Sequence, residues 1–159
     1  MKTEAEGLYC YLTRAIGEVL GEERFLGVDW LDKKPDSYSM DTVPAEALLR
    51  EYTGGASQRQ YEFVLSSRKL YSIDHLMNLN NLGFFSALEE WLREHSRKGD
   101  LPALPKGRRA LSVEILNPGY LLEGSQNKTG RYQMQCRMVY YQDAPDFMTG
   151  MTGMTERKG

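Results

Sequence analysis

Apolar side chains near the start of the chain recur at helical spacing. Leu8, Leu12, Ile16 and Val19/Leu20 stand three or four residues apart, with Glu and Arg between them, which predicts an amphipathic helix. Gly21 follows as its stop. From Glu22 to Asp36 no period holds, yet Phe25, Leu26, Val28, Trp30 and Leu31 make the stretch too apolar for a linker. It is expected to lie irregularly on the domain, pinned by Trp30. Period two then takes over. Ser37–Val43 sets Tyr38 and Met40 against Ser37, Ser39 and Asp41, and Pro44 interrupts it, as suits an edge or a strand end. Ala47–Tyr52, with its adjacent leucines, fits a strand or a helix turn and is read as a second strand. Gln58–Ser66 is the third, with Tyr61, Phe63 and Leu65 on one face and Gln60, Glu62 and Val64 on the other. Thr53-Gly54-Gly55-Ala56-Ser57 makes the turn before it.

The period then returns to that of a helix. Ser72 is a candidate cap, with Asp74 in the first turn. Leu76, Met77, Leu79 and Leu82 read as one apolar stripe, which Phe84, Phe85, Leu88, Trp91 and Leu92 continue to about His95. Gly83, and the S-x-x-E spacing of Ser86 and Glu89, point to a kink or to two shorter helices. Gly99 and Pro102 end the region. A long hairpin follows. Leu111, Val113 and Ile115 alternate, Asn117-Pro118-Gly119 breaks or bulges the strand, and Tyr120 and Leu122 resume it. After a polar loop from Gly124 to Gly130 comes the most regular strand. Tyr132, Met134, Cys136, Met138 and Tyr140 face one way; Gln133, Gln135, Arg137, Val139 and Tyr141 face the other. The first face must meet the helices, and the second is left for water or a partner subunit.

This order predicts a single α+β domain over residues 1–142: a mostly antiparallel sheet of four to five strands, with helices packed on one face. From Asp143 the periodicity fails. Met148-Thr149-Gly150 repeats as Met151-Thr152-Gly153, and Met154-Thr155 begins a third copy. Residues 143–159 are therefore expected to form a flexible tail.

Charge narrows the functional classes. The net charge is −2, from 20 basic and 22 acidic side chains, and the densest basic cluster is Lys106-Gly107-Arg108-Arg109. Tight binding to nucleic acid draws on a basic excess or stripe, and neither is present. No apolar run approaches the roughly 20 residues of a membrane span, and no signal peptide opens the sequence, so synthesis in the cytoplasm is expected. Cys10 and Cys136 are far apart and outside any C-x-x-C pair, which reads as two small apolar residues packed in or near the core.

Catalytic patterns are missing from the sequence. His75 and His95 have no metal-ligand spacing, and a histidine at a helix C-terminus such as His95 is accounted for by the helix dipole. Asp29, Asp32 and Asp36 do not follow a calcium loop. Glu89 and Glu90 point apart on a helix. Thr53-Gly54-Gly55 lacks the Lys and helix of a phosphate loop, and no G-x-S-x-G occurs. A small transferase would need a cofactor loop or basic phosphate site, and a nucleic-acid regulator a basic helix or groove. The expectation is a protein that is not an enzyme, with no cofactor and no metal. The ten tyrosines, among them Tyr120, Tyr132, Tyr140 and Tyr141 around the final hairpin, fit an interface core as well as a filled sheet edge.

Several segments together resemble a family of small phage proteins. They are Ser57-Gln58-Arg59-Gln60-Tyr61-Glu62-Phe63, Tyr71-Ser72, Gly83-Phe84-Phe85 with Trp91, Arg97-Lys98-Gly99-Asp100-Leu101-Pro102, and Gly130-Arg131-Tyr132-Gln133-Met134-Gln135-Cys136-Arg137 closing with Tyr140-Tyr141-Gln142. Over residues 45–142 the chain is similar to the minor structural proteins encoded between head and tail genes in prophages of Gram-positive bacteria, of the tail-terminator type. The resemblance implies a homo-oligomeric ring, usually a hexamer, on the end of the tail tube. Such a ring ends tube polymerisation, offers the head a docking surface and lets DNA pass without gripping it. The implied partners are further copies of the chain, the tail tube protein and the head–tail connector or neck proteins, and the implied location is the tail or neck of the virion. A head-closure or tail-completion neck protein and a minor capsid protein are the alternatives in the same class. The candidate subunit-interface residues are Gln133, Gln135, Arg137 and Tyr141 on the free strand face, with Tyr120 and Arg59. The first 45 residues lie outside the resemblance and could serve contacts particular to one phage, including a sheath.

Overall fold

The computed structural model describes residues 3–71, 74–124 and 128–145. Helix α1 spans Glu4–Leu20. The Thr3 hydroxyl accepts from the Glu6 amide at 3.2 Å, and Glu4 and Glu6 occupy the first turn, where the helix dipole favours negative charge. Gly21 closes the helix in the left-handed region, φ 77°, donating to the Gly17 carbonyl. Leu8, Leu12 and Ile16 are buried as their spacing predicts, joined by Tyr11 and Ala15.

The apolar stretch after α1 contains a strand that the sequence pattern does not announce. β1, Leu26–Val28, pairs in parallel with β2, Ser37–Thr42. Leu26 is the residue that pins the stretch to the core; Trp30 is 60% exposed, contrary to expectation. The Trp30 backbone amide is held by the Ser39 hydroxyl, so the loop is anchored through its main chain while the indole stays outside. β3, Leu48–Glu51, forms where a strand is expected, but every residue of it is exposed. β4, Ser57–Leu70, is longer than its alternation implies.

The second helix, α2, runs uninterrupted over His75–Lys98. Its cap is Asp74, whose carboxylate accepts from the Leu76 amide at 3.0 Å; Ser72, the expected cap, lies outside the described residues. Gly83 and Ser86 fall inside the helix, so Ser86 opens no second one. Gly99, φ 83°, ends it, and His95, Arg97 and Lys98 fill the last turn, where positive charge is favoured. β5, Arg108–Gly124, and β6, Thr129–Gln142, complete the hairpin.

The six strands make one sheet in the order β1-β2-β4-β6-β5, with β3 on the β2 side of β4. All pairings except β1 with β2 are antiparallel. Both helices cover one face, giving the expected α+β domain with more strands than anticipated. The core joins Leu8, Leu12 and Ile16 of α1 and Phe84, Phe85, Leu88 and Leu92 of α2. Against them lie Tyr38, Met40, Phe63, Leu65, Val113, Tyr132, Met134, Cys136 and Met138 of the sheet. Cys136 is buried as expected, whereas Cys10 is exposed, because the helical phase of α1 turns position 10 away from Leu8, Leu12 and Ile16.

Register along β5 explains another departure. Ala110 pairs with Tyr140 and Ser112 with Val139; Ile115 pairs with Cys136 and Asn117 with Gln135; Leu121 pairs with Tyr132 and Glu123 with Arg131. At each step β5 spends one residue more than β6, which is a β-bulge. The extra residues are Leu111, Leu116 and Leu122, and all three are exposed. Leu111 therefore does not share the inward face of Val113; Ala110 takes that place. A further residue is accommodated between Asn117 and Tyr120, at the expected Asn117-Pro118-Gly119 irregularity. There Gly119 lies directly against Phe85: a Cβ on it would stand 2.3 Å from the Phe85 Cβ.

Candidate interaction face

The side of the sheet away from the helices is built by alternation in β2, β4 and β6 and by the bulged register of β5. In β6 it takes Arg131, Gln133, Gln135, Arg137, Val139 and Tyr141. Register then adds Gln60, Glu62, Val64, Ser66 and Arg68 from β4, Ser39 and Asp41 from β2, and Ser112, Glu114, Asn117, Tyr120 and Glu123 from β5. Acids and arginines interleave across it, so no basic stripe forms.

These side chains are hydrogen-bonded to one another across the strands. At the β2 side, Asp41 accepts from Ser39 at 2.6 Å, Ser66 at 2.7 Å and Arg131 at 3.2 Å. Towards the middle, the Arg137 Nε donates to Glu114 at 2.9 Å, and another of its nitrogens donates to Gln60 at 3.1 Å. The Ser112 hydroxyl donates to the other Glu114 oxygen at 2.7 Å. Partial burial pushes the Glu114 carboxyl up, but the Ser112 and Arg137 hydrogen bonds and the Arg137 charge outweigh it, and the group ends below its ordinary value. On the β5 side, the Gln133 and Gln135 amides both donate to the Tyr120 hydroxyl, and Asn117 donates to the Gln135 carbonyl. Val64 and Val139 are buried within this polar array, across from Gln135 and Gln60 respectively. Pairing of this kind fixes rotamers before any partner arrives, which lowers the ordering cost of association.

The six sequence candidates divide. Gln133, Gln135, Arg137, Tyr120 and Tyr141 share the helix-free face, and the Arg109 guanidinium lies 5.5 Å from the centre of the Tyr141 ring. Arg59 does not join them. It pairs with Tyr140 in register, so it points to the helix-bearing side, where its Nε donates to the Ser57 hydroxyl at 3.0 Å. Asp41, Arg131, Glu114 and Gln60 were missed as members of the face, although the parity of β4 and β6 carries the signal for Gln60 and Arg131. The tyrosines also divide: Tyr132 and Tyr140 are core, Tyr120 and Tyr141 are on the outer face.

Elsewhere the chemistry is quiet. Among the described residues no three His, Cys, Asp or Glu side chains are grouped to hold a metal ion. His95 stacks on Trp91, ring centres 3.7 Å apart, with its Nδ1 2.9 Å from the Trp91 carbonyl. No helix of the described residues is long and apolar enough to cross a membrane. Fold and surface together define a small α+β domain with one sheet face packed and the other a pre-ordered polar lattice. No protein-family model and no curated protein sequence matches the chain.

Proposed function

We propose that this protein is a virion-assembly component of a long-tailed phage or prophage, of the tail-terminator type, which joins copies of itself into a ring on the end of the tail tube. One observation carries the reading: among the described residues no helix covers the sheet face from Asp41 to Glu123, while its polar side chains are already ordered by mutual hydrogen bonds. A surface of that kind suits a repeated, heterologous protein contact, in which one patch of a subunit meets a different patch of the next. Its interleaved charges suit a conduit that passes DNA without holding it. The resemblance of residues 45–142 to the minor tail proteins supplies the particular role.

The test is electron microscopy of particles assembled with the gene deleted. Overlong or uneven tail tubes lacking heads are the expected result. Tails of normal length that fail to join heads would move the role to neck completion, and intact infectious virions would remove the structural role.

A further inference from the structure

The first half of α2 is apolar on the wrong side. Its buried face is set by Phe84, Phe85, Leu88 and Leu92, yet Leu76 and Leu79 are 66% and 62% exposed, and Leu82 is exposed as well. At 100° per residue Leu79 lies opposite the buried arc, with Leu76 and Leu82 on either side of it. From His75 to Leu88 there is no Asp, Glu, Lys or Arg, so whatever covers this face is chosen by apolar contact and not by charge.

One segment of the chain outside the described residues has matching chemistry. Phe147-Met148-Thr149-Gly150-Met151-Thr152-Gly153-Met154-Thr155 is likewise free of charged side chains. Its methionines recur every third residue, as Leu76, Leu79 and Leu82 do, and methionine adapts to irregular apolar surfaces. This segment cannot lay its three methionines along the leucines of its own chain, because Met148 and Met151 fall short of them. The Asn81 amide donates to the Leu70 carbonyl, and Leu70 pairs with Thr129, so the leucine-bearing turns lie at the start of β6. The chain leaves the domain at the other end of that strand, where the Asp143 amide is tied to the Gly107 carbonyl. The 14 residues of β6 separate the two points by roughly 43 Å. Met148 has six residues beyond Gln142 with which to cover that gap, about 20 Å at full extension, and even Met154 would need every link straight.

We propose that the exposed leucine face of α2 receives the Met-Thr-Gly segment of a second copy. Each copy then offers a tail at one end of its sheet and an acceptor at the other, a head-to-tail contact that propagates until a ring closes. This deepens the ring reading above and rests on it for closure only.

The experiment uses two complementary variants of the full chain, studied by size-exclusion chromatography with light scattering. Truncation after Pro145 leaves an acceptor without a tail. The double substitution Leu76→Glu, Leu79→Glu leaves a tail without an acceptor, at positions whose exposure spares the fold, which circular dichroism verifies. The unaltered 18.2 kDa chain is expected to grow in mass with concentration, each variant to stay monomeric, and the two mixed to give a one-to-one complex and nothing larger. A mixture that forms no complex overturns the proposal. So does a truncated chain that associates as the full chain does, or a full chain that stays monomeric throughout. None of these outcomes depends on virion morphology, so the contact and the tail-terminator role fail separately.

Discussion

Among the described residues Lys69 is the one charged side chain that is buried, 6% exposed. Its ammonium donates to the Tyr38 hydroxyl at 2.5 Å, sits over the Tyr38 and Phe84 rings, and lies 3.5 Å from an Asp36 oxygen. Burial lowers its pKa, and Asp36 only partly offsets that. A lysine whose folded pKa lies below its unfolded one binds fewer protons folded than unfolded, so stability rises with pH from the folded value towards the ordinary 10.5. Tyr38 and Tyr11 act in the opposite sense. Burial, reinforced by Asp36 and Asp100 respectively, pushes both up to about 12 from 10.0. Their contribution is complete below the unfolded value and is lost as pH climbs through the folded one. Stability should therefore rise with pH until about 9.0, where the buried Cys136 thiol, also pushed up, begins to oppose Lys69, and fall between pH 10 and 12. Lys69→Met is expected to abolish the alkaline rise while keeping the later fall. Urea titrations at a series of pH values would read both; a wild-type rise that survives the substitution would refute the assignment to Lys69.

At the level of elements, α2 is fixed to β5 through a contact that no side chain makes alone. Gly119 gives up its side chain to Phe85, and further along the Ser96 hydroxyl accepts from the Val113 amide at 3.0 Å. Gly119→Ala forces Phe85 to move and is expected to cost about 1–3 kcal/mol, the usual penalty of overpacking. Phe85→Leu in the same background should recover part of that loss in thermal denaturation. Additive losses from the two substitutions would show that the clash is not the cause.

Taken whole, the molecule was legible where one rule governs one element. β6 alternates from Tyr132 to Tyr141, so both its faces could be read there residue by residue, and α1 and the C-terminal half of α2 follow a single helical stripe. Legibility ended where two rules compete. Leu111, Val113 and Ile115 look like a clean alternation, but a bulge after Ala110 moves Leu111 out of the pattern, and only cross-strand register discloses it. Leu76, Leu79 and Leu82 look like core because a sequence shows that a face is apolar, not which face the sheet will meet. β1 is three residues long and gains its order from β2, so it has no period of its own. Arg59 and Gln60 differ by one position and lie on opposite sides of the sheet. The candidate face was accordingly found in its β6 part and incomplete in β2, β4 and β5.

The bulges of β5 also decide how this chain can change in length. Leu111, Leu116 and Leu122 each stand between an inward and an outward neighbour that would alternate correctly without them. Loss of one codon there removes a side chain and leaves every other on its proper side, whereas loss of one in β6 turns all that follows inside out. The variant lacking Leu116 is expected to fold with a cooperative melt, and the variant lacking Gln135 to lose it. Homologous chains should accordingly differ in length along β5 more readily than along β6. A chain that shed all three leucines would keep its core but expose a straighter strand edge, interrupted only near Pro118 and Gly119, closer to the form that natural sheets avoid because it recruits other strands.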